Sequence, residues 1–149
     1  MRTVRDVEVT FRKDRGGRLC RWDAVRAKRA RVPGPTMAAG RHLPHDLSTF
    51  VVERDLGLAS GFWGCVARGA TFRSLPRRRT EEGRRVIRDH VAELDAAEAL
   101  VGAEVGAWVR GGRPATAPAL DAMLVRWRSL PPDGELVLEW PAHAAGRRR

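Results

Sequence analysis

Between residues 7 and 24 apolar and polar side chains alternate about a double glycine, and this pattern admits one pairing. Val7, Val9 and Phe11 are separated by Glu8, Thr10 and Arg12, the period-two signature of a strand that buries one face. Asp14-Arg15-Gly16-Gly17-Arg18 follows, and Gly16-Gly17 suits a two-residue type I′ turn. Such a turn sets Lys13 against Cys20, Phe11 against Trp22 and Val9 against Ala24. The apolar residues of both strands then share one face, so turn chemistry and side-chain pattern agree. The other face sets Arg12 opposite Arg21. Like charges so placed repel mildly, unless Asp14 and Asp23 lie diagonally near them or an anion sits there.

A two-stranded hairpin is marginal by itself, so the rest of the chain must cover it. Leu136, Leu138 and Trp140 alternate with Glu135, Val137 and Glu139 in a last strand, the one available third strand. Between them the pattern is helical. Val32-Pro33-Gly34-Pro35 and Ala38-Ala39-Gly40 read as an irregular loop. Pro44 starts a helix at a position where its missing N–H costs nothing, Leu47, Phe50, Val51 and Leu58 form its stripe, and Gly57 caps it. Ser60 is placed to cap a short second helix through Phe62, Trp63 and Val66. Thr80, followed by Glu81 and Glu82, starts a third, whose stripe runs through Ile87, Val91, Leu94, Val101, Val105 and Trp108. As one piece it would be roughly 43 Å long, with Gly102 and Gly106 allowing a close approach or a bend. Thr116 caps a fourth, through Leu120, Met123, Leu124 and Trp127, and Pro131-Pro132 stops it. The order is β-β-α-α-α-α-β. The expected fold is α+β, a small antiparallel sheet of the hairpin and the C-terminal strand packed against about four helices. Residues 1–142 are expected to form a single domain and residues 143–149 a basic disordered tail. The five tryptophans fall mostly on apolar stripes and belong to the core.

The chain of 149 residues carries a net charge of +10, unevenly spread. Residues 1–31 hold 11 Lys/Arg against 4 acids, residues 32–80 hold 7 against 3, residues 81–110 hold 4 against 7, and residues 111–149 hold 6 against 4. A field of that sign at one end favours polyanions or an acidic protein surface. Of the basic residues only Lys13 and Lys28 are lysine, a skew that with abundant Ala and Gly fits high-GC coding. No apolar run approaches the ~20 residues of a membrane span, and the N-terminus lacks the apolar core of a signal peptide, so a cytoplasmic location without membrane contact is expected. Cys20 and Cys65 are too few for a disulfide framework and lack metal-ligand spacing; buried free thiols are expected.

Two groups of residues could carry a function. His45, Thr49 and Glu53 recur every fourth residue of the Pro44 helix, with Asp46 beside them. A histidine and carboxylates on one helical face suit a metal or a proton transfer, but Thr49 stands where a second histidine would complete a zinc pattern. His45, Asp46 and Glu53 are therefore weak candidates for both, and no cofactor is expected. The competing reading gives Asp46 to the N–H groups of the first helical turn and leaves His45 and Glu53 to solvent or structural partners. Gly57-Leu58-Ala59-Ser60-Gly61-Phe62-Trp63-Gly64 lacks the Gly-Lys-Ser/Thr end of a P-loop and reads as a turn between packed helices. His90, beside Asp89 and Glu93, reads as exposed or locally paired.

The second group is the basic hairpin and its exit, Arg12, Arg15, Arg18, Arg21, Arg26, Lys28, Arg29 and Arg31, which Arg77, Arg78 and Arg79 would extend. A hairpin ribbon can follow a phosphate backbone, although no established nucleic-acid motif is present.

The run Leu43-Pro44-His45-Asp46-Leu47…Phe50-Val51-Val52-Glu53, with Gly61-Phe62-Trp63-Gly64 and the closing Leu138-Glu139-Trp140-Pro141, resembles a small uncharacterised actinobacterial protein family. That resemblance implies no activity. The residues themselves point to a non-enzymatic binding or accessory protein whose basic hairpin, with Arg12, Arg15, Arg18, Arg21, Arg26, Lys28 and Arg29, contacts nucleic acid or an acidic protein. The alternatives are an enzyme site on the His45-Asp46-Glu53 face and a structural subunit that interacts through the acidic helix 81–110.

Overall fold

The computed structural model describes residues 7–26 and 30–141; Lys28, Arg29 and the basic tail at 143–149 lie outside them. Four strands, β1 (Val7–Lys13), β2 (Leu19–Val25), β3 (Arg31–Ala38) and β4 (Glu135–Trp140), form one antiparallel sheet in the order β3-β2-β1-β4. Five helices lie between β3 and β4: α1 (His45–Leu56), α2 (Phe62–Ala67), α3 (Glu81–Asp89), α4 (Val91–Val109) and α5 (Ala117–Arg128). The fold is α+β, and the C-terminal strand joins the hairpin beside β1 as the alternation requires.

The hairpin register is the expected one, with Val9 opposite Ala24, Phe11 opposite Trp22 and Lys13 opposite Cys20. The turn differs. A type I′ turn needs positive φ at both central residues, and only Gly17 has it, at 75°. The chain instead reverses at Arg15-Gly16, where the Gly17 N–H donates to the Asp14 carbonyl at 3.0 Å. The Asp14 carboxylate then accepts from the N–H groups of Arg18 and Leu19. Both turns preserve the same pairing, so the side-chain faces are unchanged.

Residues 31–38, expected as loop, form β3. Proline is tolerated here because β3 is an edge strand whose outer side needs no donors. The pairing shifts register between Arg21 and Asp23, where Pro33-Gly34-Pro35 passes. Gly34 is required at that point, since a Cβ there would lie 2.3 Å from the Trp22 indole. The long acidic helix is also divided. At His90 the backbone leaves the helical region, with φ −124° and ψ 21°, and its N–H turns to Ile87. The Val86 carbonyl, left without its usual partner, accepts from His90 Nδ1 at 2.9 Å. This bond fixes the Nδ1–H tautomer and ends α3 one residue before α4 begins.

One face of the sheet carries the core. Val7, Val9, Phe11, Cys20, Trp22, Ala24, Val32, Leu136, Leu138 and Trp140 are all buried there. The five tryptophans are buried as expected. α1 covers this face and is itself covered by α4 and α5, so its residues Leu47 to Glu53 are buried without exception rather than along one stripe. Phe50 meets Phe11, Trp63 and Trp140 edge-on, which fixes α1 against β1 and β4. Lys13 at the end of β1 sends its ammonium to the carbonyls of Trp127 and Leu130, both at 2.8 Å, and so caps the negative end of α5. Thr80 caps α3 by accepting from Gly83, as its position predicts. Thr116 does not cap α5; its hydroxyl donates to Glu104 of α4 at 2.6 Å. No described helix is long and apolar enough to cross a membrane.

Candidate functional site

The start of α1 is built around Asp46. One carboxylate oxygen accepts from the Trp22 indole N–H at 2.8 Å, tying α1 to β2, and the other faces His45 Nδ1 at 2.9 Å. This hydrogen bond raises the His45 pKa above its ordinary value. The His45 ring is otherwise open to solvent. Asp46 thus serves the sheet and His45, and the first-turn N–H groups of α1 are not its partners.

Glu53, two turns on, is only 1% exposed. Its oxygens accept from the N–H groups of Phe62 and Trp63, each at 2.9 Å. These are orphan donors at the start of α2, so Glu53 takes the capping role expected of Ser60. Gly61 permits the approach, because a Cβ there would lie 2.4 Å from a Glu53 oxygen. Burial pushes the carboxyl up to about 7, although its two N–H donors pull the other way. Thr49 lies between the two groups and donates its hydroxyl to the His45 carbonyl at 3.1 Å. His45 is thus a surface group, Asp46 a link to the sheet and Glu53 a buried cap. The described residues contain no group of three His, Cys, Asp or Glu arranged to hold a metal.

The basic residues of the hairpin occupy three separate places. Arg12 and Arg21 lie side by side on the outer face of the sheet. Acids surround them there, because Glu8, Asp23, Glu135 and Glu139 share that face. Arg12 pairs with Glu135, and Arg31 with Asp23 at 3.2 Å. Arg15 and Arg18 sit in the turn, Arg15 facing Asp133 at 3.6 Å. Arg26 lies at the other end of β2, roughly 23 Å away by the rise of seven strand residues. The hairpin therefore presents no continuous basic ribbon among its described residues.

A different segment gathers unneutralised charge. Residues 56–80 contain five arginines and no acid: Arg68, Arg73, Arg77, Arg78 and Arg79. None is in an ion pair among the described residues, and Glu81 just beyond is held by Arg84 and Arg88. Arg26 reaches this segment, its Nη1 lying 2.9 Å from where a Cβ on Gly69 would be. Burial, then the charge of Arg77, lowers the Arg26 pKa. The sequence pattern marks Arg77, Arg78 and Arg79 only as an extension of the hairpin and does not single out Arg68 and Arg73. The signal that could have found them is the run of 25 residues without a carboxylate.

Neither family models, curated proteins nor solved structures yield a match to the chain.

Proposed function

We propose that this chain is a non-enzymatic binding protein that contacts nucleic acid through arginines, where the end of the hairpin at Arg26 meets segment 56–80. The observation that carries the reading is that segment's composition and isolation, five arginines with no acid among them and, among the described residues, no ion pair. Charges that the described residues leave unneutralised are available to phosphates, and each neutralised phosphate adds to the salt dependence of binding. The outer face of the sheet is a weaker surface for the purpose, because Arg12 and Arg31 already have carboxylate partners.

The test is titration of labelled DNA and RNA at several salt concentrations. Binding at low salt should weaken steeply with salt. Reversing Arg73 and Arg78, both exposed, should weaken it and reduce the salt slope by about 1 for each charge removed. Reversing Arg12 and Arg21 should have the smaller effect. No binding at low salt, or binding indifferent to Arg73 and Arg78, overturns the reading. Binding to an acidic protein alone would do the same.

A second reading, a subunit that interacts through residues 81–110, draws on α4. Only Ala97, Val101 and Trp108 of this helix are buried, while Val91, Leu100 and Val109 stand exposed. Light scattering tests its simplest form, in which two copies associate; a monomer across the accessible concentration range removes that form.

A further inference from the structure

We propose that Arg26, Arg77 and Arg79, gathered around residues 69–71, form a binding site for a single phosphate group. The inference deepens the nucleic-acid reading and rests on it only for the source of the phosphate, which is either a backbone phosphodiester or a free phosphate.

Among the described residues, just two buried side-chain polar atoms lack a hydrogen-bond partner, and both are arginine Nε–H donors, on Arg26 and Arg79. A buried donor without an acceptor is costly and uncommon, so each of the two calls for an explanation. The chain brings the Arg26 guanidinium and the backbone at residue 79 to neighbouring points of residues 69–71 as follows. Arg26 leaves the end of β2 and its guanidinium lies against Gly69, whose φ of 101° and missing side chain leave room for it. Two residues on, Thr71 accepts from the Thr80 N–H at 3.1 Å, and its own N–H reaches the Gly83 carbonyl. Residue 79 is thereby held beside the same stretch. Arg77 is half-buried and close enough to Arg26 for the two charges to act on each other.

Like charges held together with unmet donors form a poor arrangement by themselves and a good one around an anion. A phosphate offers several acceptor oxygens and up to two negative charges. It would satisfy both Nε–H groups and turn the repulsion between Arg26 and Arg77 into shared attraction. Segment 56–80 supplies no carboxylate to compete for that place. The groove at Arg54 and Arg126 does not match it. Those arginines end α1 and α5, where the helix dipoles disfavour an anion.

The experiment is a titration of the full chain with inorganic phosphate against sodium chloride of matched ionic strength. The arginine Nε–Hε signals are followed by NMR and the melting temperature in parallel. A saturable shift of the Arg26 and Arg79 signals and a phosphate-specific rise in melting temperature are expected. Arg77→Gln, in a half-exposed loop position, should weaken phosphate about tenfold or more while the chain stays folded. Arg79→Gln should do likewise, so the test does not depend on Arg26→Gln folding. No effect of phosphate beyond that of chloride, or a response retained in both variants, overturns the site. If an oligonucleotide binds at low salt and ignores Arg77→Gln and Arg79→Gln, this site fails and the nucleic-acid reading survives. If phosphate binds and the oligonucleotide does not, the site stands and that reading fails.

Discussion

Glu53 makes the stability of this protein depend on pH in an unusual direction. Its carboxyl titrates at about 7 in the folded chain against an ordinary 4.5. The folded state therefore holds a proton that the unfolded state releases between about 4.5 and 7. Stability is greatest at the acidic end of that window and falls as pH rises through it. The pKa gap corresponds to roughly 3 kcal/mol, lost by pH 8. His45 contributes in the same direction, since its folded pKa is also raised and its stabilisation is lost as pH rises through that value. Glu81 and Asp121, held below their usual values by hydrogen bonds, to Arg84 and Trp108 first, act only at lower pH. Glu53→Gln separates the terms because it removes the titration and leaves His45 in place. Urea unfolding followed by tryptophan fluorescence, at intervals from pH 5 to 8, gives the free energy of each form. Relative to Glu53→Gln, the wild type should lose roughly 2–3 kcal/mol between pH 5 and pH 8. A difference that stays constant over that range would refute the reasoning, whatever the absolute stabilities.

Two further expectations bear on the core. Gly61→Ala should destabilise the fold by about 1–3 kcal/mol in urea unfolding, because the added methyl displaces the Glu53 carboxylate from the N–H groups of α2; an unchanged midpoint would show that the cap is dispensable. Cys20 and Cys65 are buried, and burial raises their thiols to about 12 and 11. A disulfide reagent at pH 8 should leave both unmodified until denaturant is added, and rapid labelling of the native protein would contradict their placement.

What could be read in advance depended on how local the cause was. The pairing of β1 with β2 and β4 follows from alternation along each strand, and the helix starts at Pro44 and Thr80 follow from residues at those points. β3 was illegible because Pro33, Gly34 and Pro35 are loop residues by local criteria. They are tolerated only by an edge position and by the Trp22 ring that fills the space beneath Gly34. The break at His90 comes from a side chain that claims the Val86 carbonyl, which no apolar period records. The burial of Glu53 was hidden for a related reason. Its partners are backbone N–H groups nine and ten residues ahead, brought back by the turn at Gly57. The arginine site lay in the count of acids rather than in any motif, and Arg26 joins it only through the tertiary fold.

The place of β1 in the sheet has a consequence for synthesis. It pairs with β2 a few residues away and with β4 more than a hundred residues later, Val7 lying opposite Trp140. While the chain is being made, one edge of β1 has no neighbour until nearly all of the remaining described residues have been added. The sheet therefore closes late, and its formation is limited by a distant pairing, the kind that slows folding. Until then the apolar face of the hairpin, with Phe11 and Trp22, waits beside an open row of peptide groups, where a neighbouring nascent chain can pair wrongly.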